Sequence, residues 1–441
     1  MLNPLKIVDD LVSLAAGKKV WLAYSGGIDS HVLLHLLATT SHPDLNFAAT
    51  VHVDHGLQAE SKNWSQHCAD VCKNLNIEYH ALQVQVKNIE TLGMEAAARA
   101  ARYQAIDQLL GPEDVLLTAQ HQHDQAETLL LQLLRGSGPK GLAAMAAKST
   151  MGKMTVIRPL LDVSQQDIQL YAQQHNLKWI DDPSNVDTRW SRNYLRHKVW
   201  PKLEQRWPQA EITLSRSAQH CAEASELLME LAEQDMEFLG INVNSETLPI
   251  TELMSLSLAR QRNLLRHYIE RRQFTLPSTT VLQCVIDEVC LAAQDSEPLV
   301  SWSGVEVRRY QQQLYVMSPM QAHDVLQSVV VDGFDKTILI ESQLIEWQKT
   351  NEKGLKGDVL SHEVSLGFRQ GGERIQLQGQ RHHKSLKHLF QQWHIPPWQR
   401  DRIPLVFCDD KLIAVVGYGV SDEFAVNEGQ QGYLPVLKTA Q

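Results

Sequence analysis

Cysteine is scarce and unpatterned in this sequence: six in 441 residues, at Cys68, Cys72, Cys221, Cys284, Cys290 and Cys408. None forms a CxxC pair. Cys68 and Cys72 share a helix-face spacing, but no second pair completes a tetrahedral metal set. A disulfide scaffold is excluded, and scattered thiols suit a reducing, cytoplasmic setting. There is no run of about 18 apolar residues, so no membrane span is expected. The N-terminal stretch carries Asp9 and Asp10 where a secretory signal needs an apolar core, and reads as an amphipathic helix. Internal repeats and low-complexity tracts are missing too. Positive charge is in deficit, 41 Lys+Arg against 51 Asp+Glu for a net of −10. Taken alone, that argues against a nucleic-acid partner, because phosphate contacts need Lys and Arg.

What is present is an ordinary globular balance, 43% apolar and 21% charged, long enough for two to four domains. The first third alternates strand-like and helical runs. Strands are expected at Val20–Tyr24, Phe47–Val53, Tyr79–Val86 and Val115–Ala119, and helices at His31–Ala38, Asn63–Leu75, Met94–Leu110 and Asp124–Leu134. This alternation predicts an α/β fold with a doubly wound parallel sheet. Beyond residue 215 the character changes. Residues 217–252 hold eight acidic side chains and no Lys or Arg, and the pattern stays helical to about residue 293. A hairpin is expected within Ser301–Met317. From about residue 361 the chain turns basic, with strands at Leu405–Cys408 and Leu412–Val416. The expected divisions are 1–215, a mainly helical 216–335, and a small α+β region at 355–441.

Ser25-Gly26-Gly27-Ile28-Asp29-Ser30 lies between the first strand and the first long helix. Glycines let a backbone approach phosphate, and free N–H groups at a helix start favour an anion. The string is neither a P-loop, which needs a GK[ST] lysine, nor GxGxxG. A carboxylate inside a phosphate cradle implies a divalent ion, so Asp29 is the expected Mg²⁺ contact. The alternative is a plain βα turn with Asp29 or Ser30 as N-cap.

SGGIDS resembles the pyrophosphate-binding loop of the N-type ATP pyrophosphatases, which cleave ATP between its α- and β-phosphates. Other segments resemble one branch, the tRNA(Ile)-lysidine synthetases of the longer, enterobacterial type. These are Val51-His52-Val53-Asp54-His55-Gly56-Leu57, Glu95–Tyr103, Leu134–Leu142, Asp181-Asp182-Pro183-Ser184-Asn185 with Arg192–Arg196, and Ile395–Asp401. One window departs from the branch. Its usual HHxDDxxET is here Gln120-His121-Gln122-His123-Asp124-Gln125-Ala126-Glu127-Thr128, with Gln for the first His and His123 for the first Asp.

The resemblance implies a two-step ligation. O2 of the wobble cytidine of a CAU-anticodon tRNA(Ile) attacks the ATP α-phosphate; the amine of free lysine then attacks C2 and AMP leaves. ATP and Mg²⁺ are the implied cofactors. Ser25, Gly26, Gly27, Ile28, Asp29, Ser30 and His52 are expected at the nucleotide. Asp29, Asp124, Glu127 and Arg102 are expected to be catalytic, and Asp124, Glu127 and Arg99 to hold lysine. Arg99 and Arg102 share a helix face and suit ATP phosphates or the lysine carboxylate, with solvated helix charges as the competing reading. Arg192 and Arg196 are expected at the tRNA backbone, with an ion pair to Asp181 or Asp182 as the competing reading. Lys140 is an RNA or phosphate contact or a plain loop lysine, and Arg381, Lys384 and Lys387 are further tRNA candidates. A thiolase built on the same loop, or an inactive tRNA-binding relative, are the alternatives. Oligomeric state is left open, a homodimer being one option.

Overall fold

A computed structural model describes residues 2–54, 61–87, 93–181, 183–242, 245–293 and 296–438. It divides into two compact units, Met1–Leu231 and Ala232–Gln441. His55, Gly56, Leu57 and Asp182 of the motifs above, and the side chains of Glu95, Ser184 and Asn185, lie outside the described residues.

In the first unit the elements run α1 (Pro4–Ala15), β1 (Val20–Ala23), α2 (Ile28–Thr39), β2 (Phe47–Asp54), α3 (Ser61–Asn74), β3 (Glu78–Gln83), α4 (Met94–Leu109) and β4 (Val115–Leu117). They continue with α5 (Gln122–Leu134), α6 (Pro139–Leu142), β5 (Lys148–Met151), β6 (Met154–Ile157), α7 (Gln165–Gln174), α8 (Ser191–Tyr194), α9 (Trp200–Arg206) and α10 (Ala210–Phe238), whose residues from Ala232 onward belong to the second unit. The sheet order is β3-β2-β1-β4-β6-β5. Five strands are parallel, and β5 pairs antiparallel with β6 at one edge. The sequence reading does not include that edge hairpin, because Lys148, Ser149, Thr150 and Thr155 interrupt the apolar run in its two strands.

Both faces of the sheet are covered, as parallel strands require. Val20, Leu22, Val115 and Leu117 point into a core with residues of α1, α2, α3 and α7. The intervening Trp21 and Leu116 face the other way, against Tyr103 and Ile106 of α4. Helix α2 is more deeply buried than a single apolar stripe predicts. Val32, Leu33, Leu34, Leu36 and Leu37 are all buried, as befits a helix sandwiched between sheet and helices. β1 pairs with β2 on one side and β4 on the other, so chain order reverses about β1. The crevice at the carboxyl ends of β1 and β4 is where open α/β sheets bind ligands.

In the second unit a four-stranded sheet is built from β7 (Thr247–Pro249), β8 (Leu299–Trp302), β9 (Val305–Tyr310) and β10 (Gln313–Met317), in the order β7-β10-β9-β8. It shares a core with α11 (Ile250–Ser255), α12 (Leu258–Arg271) and α13 (Thr279–Cys284). A separate core farther along the chain gathers Ile345, Trp347, Val364, Leu366, Val406 and Ile413. The strands at Leu405–Cys408 and Lys411–Val415 form the expected hairpin, turning through Asp409 and Asp410 at φ 47° and 64°. Asp tolerates this left-handed turn better than a branched residue would.

Candidate active site

The loop after β1 opens directly into α2. Gly26 has φ +84°, and a Cβ there would fall 2.8 Å from Ile180 Cδ1 and 2.9 Å from Cys68 Sγ, so only glycine fits without a shift. The Gly26 carbonyl accepts a bond from Ile180 N at 2.9 Å, pinning the turn. Ser25 Oγ and Ser30 Oγ are 3.0 Å apart, and the Ser30 hydroxyl donates to Gly27 O at 3.0 Å. Gly27 caps α2 without any side-chain bond. Ser30 therefore braces the loop from inside while the first-turn N–H groups are left for an anion.

His52 is buried at the end of β2 and donates Nδ1–H to Tyr24 O at 2.9 Å, directly before the loop. Burial first, and then the nearby Arg102 charge, pull its pKa down, so it stays neutral. Arg102 is exposed on α4, and Arg99, one turn earlier, lies over the Tyr103 ring at 5.0 Å. Lys140 is exposed on the single-turn helix α6.

A dense ionic cluster fills the start of α5. His121 is its N-cap: Nδ1 accepts from His123 N at 3.3 Å, and Asp124 Oδ2 accepts from His121 N at 3.1 Å. This fixes the His121 tautomer. Nδ1 is the acceptor, so Nε2 carries the proton, and it lies 3.6 Å from both Asp29 Oδ1 and Asp124 Oδ2. His121, retained from the family's paired histidines, thus stands between Asp29 of the loop and Asp124 of α5. It was not among the expected site residues, although the motif window contained it.

Glu127 differs from its expected role. Its side chain is fully buried, and both oxygens are engaged: Arg196 Nε donates at 2.7 Å to Oε1 and Arg192 Nε at 2.9 Å to Oε2. His123 Nε2 stands 3.2 Å from Oε1. Burial opposes its ionisation, but His123 and Arg196 outweigh it and hold the carboxyl well below the usual range. An acid so enclosed by cations has no face left for a lysine ammonium. Arg192 and Arg196, expected at the tRNA backbone, lie 3.5 Å and 3.4 Å from Asp124 Oδ1, with their side chains 29% and 32% exposed. Their partners are not the sequence-near Asp181, which accepts from Trp179 Nε1. Arg196 belongs to a π turn, Leu195–Val199, between α8 and α9, a local widening that often marks functional sites.

His123 fills the place of the family's usual acid. Its Nδ1 is 3.8 Å from Glu211 Oε2 on α10, and its ring packs edge-on to Trp200 at 4.2 Å. Burial disfavours its charge, but the carboxylates of Glu127 and Glu211 prevail and raise its pKa to about 9. The formal count is then four acids (Asp29, Asp124, Glu127, Glu211) against three cations (Arg192, Arg196, His123). The surplus negative charge sits at Asp29 and Asp124. Burial, and then Asp124, push the Asp29 pKa up, with His121 partly opposing. A carboxylate left in that state favours a cation beside it. The two acids meet no third donor that closes a cage among the described residues. That fits Mg²⁺, which takes one or two carboxylates and completes its shell with phosphate oxygens and water.

Sulfur chemistry finds no support here. Cys68 and Cys72 are fully buried, and burial, followed by the neighbouring thiol, pushes Cys68 up to about 12, so no thiolate forms near the loop. In the second unit Arg381 and Lys387 are exposed, Lys387 in the first turn of the helix Leu386–Gln392, while Lys384 Nζ is tied to Gln392 Oε1 at 3.1 Å.

Three family models match this chain: a PP-loop domain over residues 5–203, a TilS substrate binding domain over 248–315, and a TilS substrate C-terminal domain over 364–436. The tRNA(Ile)-lysidine synthase of Coxiella burnetii is 39% identical over 433 residues, covering 98% of this chain and 96% of that protein. The enzyme of the same name from Serratia proteamaculans is 42% identical over 422 residues, 95% of each chain. That of Legionella pneumophila strain Lens is 40% identical over 426 residues, 96% of each. With a phosphate-binding loop at the sheet's switch point, an acidic helix start linked to it through His121, and likeness at this level from end to end, the chain belongs to the tRNA(Ile)-lysidine synthase family.

Proposed function

We propose that this chain ligates lysine to C2 of the wobble cytidine of a CAU-anticodon tRNA(Ile), using ATP and releasing AMP and pyrophosphate, in the cytoplasm. The observation that carries the reading is the loop Ser25–Ser30 opening an uncapped helix, joined by His121 Nε2 to Asp29 and Asp124. The first-turn N–H groups of α2, with the exposed Ser25 hydroxyl beside them, clamp the pyrophosphate. Asp29, supported by Asp124, holds Mg²⁺, which would offset charge on the phosphates. A cytidine carbonyl oxygen is a poor leaving group, and adenylation corrects that. Lysine then meets an acidic surface made by Asp29 and Asp124, with Glu127 anchoring Arg192 and Arg196 behind it. Those arginines keep Asp124 in place. Arg99 and Arg102 remain the candidates for the ATP phosphates or the lysine carboxylate. Positioning and fixed charges carry most of the rate in such a site.

We further propose the functional division 1–215 for catalysis, 216–335 for substrate binding and 355–441 for tRNA contact. Arg381 and Lys387 are exposed side chains suited to phosphate. In the first unit Trp207, 58% exposed with the Arg206 guanidinium 5.8 Å over its ring, suits stacking by an unpaired base. The test is incubation with the isoleucine tRNA, ATP, Mg²⁺ and labelled lysine. Incorporation that vanishes in Asp29→Ala and survives in Cys68→Ala supports ligation over thiolation. No incorporation into wild-type reactions refutes the reading.

A further inference from the structure

We propose that the second unit carries a zinc-class metal site formed by His362, Cys408 and Asp409. One ligand atom from each of these side chains lies within 4.8 Å of those of the other two. The residues come from two chain segments joined by a strand pair, since Val364 of Val364–Gly367 is in register with Cys408 of Leu405–Cys408. Asp409 N donates to Glu363 O at 3.1 Å, and Asp409 Oδ1 accepts from Glu363 N at 3.3 Å. These two hydrogen bonds leave Oδ2 to face His362 Nδ1 at 3.0 Å. The backbone thus holds nitrogen and oxygen donors together before any metal arrives.

The thiol makes the cluster more than a surface ion pair. Cys408 is 3% exposed, and its Sγ takes part in no hydrogen bond among the described residues. A buried, unpartnered sulfur beside an imidazole and a carboxylate is the donor set of Zn²⁺, not of Mg²⁺. The His362 and Asp409 side chains are 56% and 59% exposed, giving the ion an entry path and a place for a water as fourth ligand.

Binding balances as follows. The Cys408 thiol loses its proton to solvent and forms a sulfur–metal bond. His362 becomes a ligand through Nδ1, its single proton moving to Nε2. Asp409 supplies Oδ2 without proton loss. One proton, that of the Cys408 thiol, is released per metal bound. The ligands bracket residues 363–407, which hold Arg369, Arg374, Arg381, Lys384, Lys387, Arg400 and Arg402. A metal here would fasten the base of the most basic stretch of the second unit.

The test uses the full-length chain, stripped with a chelator and titrated with Co²⁺ as a spectroscopic stand-in, then with Zn²⁺ in competition. One Co²⁺ per chain with thiolate-to-metal charge-transfer absorption, displaced by Zn²⁺, is expected. Cys408→Ser should abolish the band. His362→Ala, at an exposed position that leaves the core intact, should abolish it or make it non-saturable. No saturable band in the wild-type chain, or a band unchanged in either variant, overturns the proposal.

Discussion

His123 gives the sharpest handle on the ionic cluster. Its pKa rises from 6.5 to about 9 because Glu127 and Glu211 outweigh the cost of burial. A base whose folded pKa lies above its unfolded value adds stability that is complete below the unfolded pKa. That stability is lost as pH climbs through the folded one. The window is therefore from pH 6.5 to about 9, and the shift corresponds to roughly 3 kcal/mol. The side chain is only 3% exposed, so little solvent screening reduces the figure. His123→Gln keeps the volume and removes the proton. The assay is urea unfolding at pH 6, 7.5 and 9.5, followed by the emission of Trp200, whose ring touches His123; subtracting a Trp200→Phe background isolates that signal. The wild-type chain should lose about 3 kcal/mol relative to His123→Gln across the window. Parallel loss in both proteins would show that His123 does not hold a proton between the two acids. The effect has a mirror image in Glu127. Its lowered pKa gives stability that is present above pH 4.5 and lost as pH falls through the folded value.

Three further outcomes are expected. Asp29→Asn should cut lysine ligation by about 10²–10³-fold yet raise the melting temperature, because a carboxylate with a raised pKa destabilises the fold when ionised; a fall in both would contradict this. Gly26→Ala meets both a left-handed φ and the Ile180 and Cys68 side chains, so it should cost about 1–3 kcal/mol and weaken ATP binding measured by calorimetry. Arg381→Ala and Lys387→Ala should each lower the salt slope of tRNA affinity by roughly 0.7–0.9. Arg260→Ala should leave that slope unchanged, since Arg260 is paired with the buried Asp235.

The strands and helices around the site were legible because each is short, apolar and bounded by turn residues. β1, β2, β4 and α5 lie within a few residues of their expected limits. The phosphate loop was legible too, because its chemistry sits in consecutive residues. The ionic cluster was not. Glu127 and its arginines are 65 and 69 residues apart in sequence, and the sequence offered nearer acids, Asp181 and Asp182, as partners. Which acid an arginine meets depends on how α8 and its π turn pack against α5, and periodicity carries no information about that. His121 shows the same limit from the other side. Its motif window was recognised, but its tautomer follows only from the N-cap geometry.

Charge shows where local arithmetic fails. Three segments are locally basic: 188–216 with seven basic and two acidic residues, 256–275 with five and one, and 366–404 with seven and two. Each could have faced RNA. In the first, Arg192 and Arg196 are paired with Asp124 and Glu127, and Arg189 forms an exposed surface pair with Asp187. In the second, Arg260 and Arg271 reach back to Asp235 and Glu233 of the acidic stretch at 217–252. Those two excesses, of opposite sign, therefore partly cancel within one unit, and α12 is not a free basic face. In the third, Arg369 pairs with Asp401, while Arg374, Arg381 and Lys387 stay exposed and form no ion pair among the described residues. The cations open to a polyanion are thus fewer than segment totals suggest, and in the second unit they concentrate in the C-terminal stretch. A chain of net charge −10 can bind tRNA on those terms, because affinity follows the phosphates that exposed cations reach and not the sum over all residues.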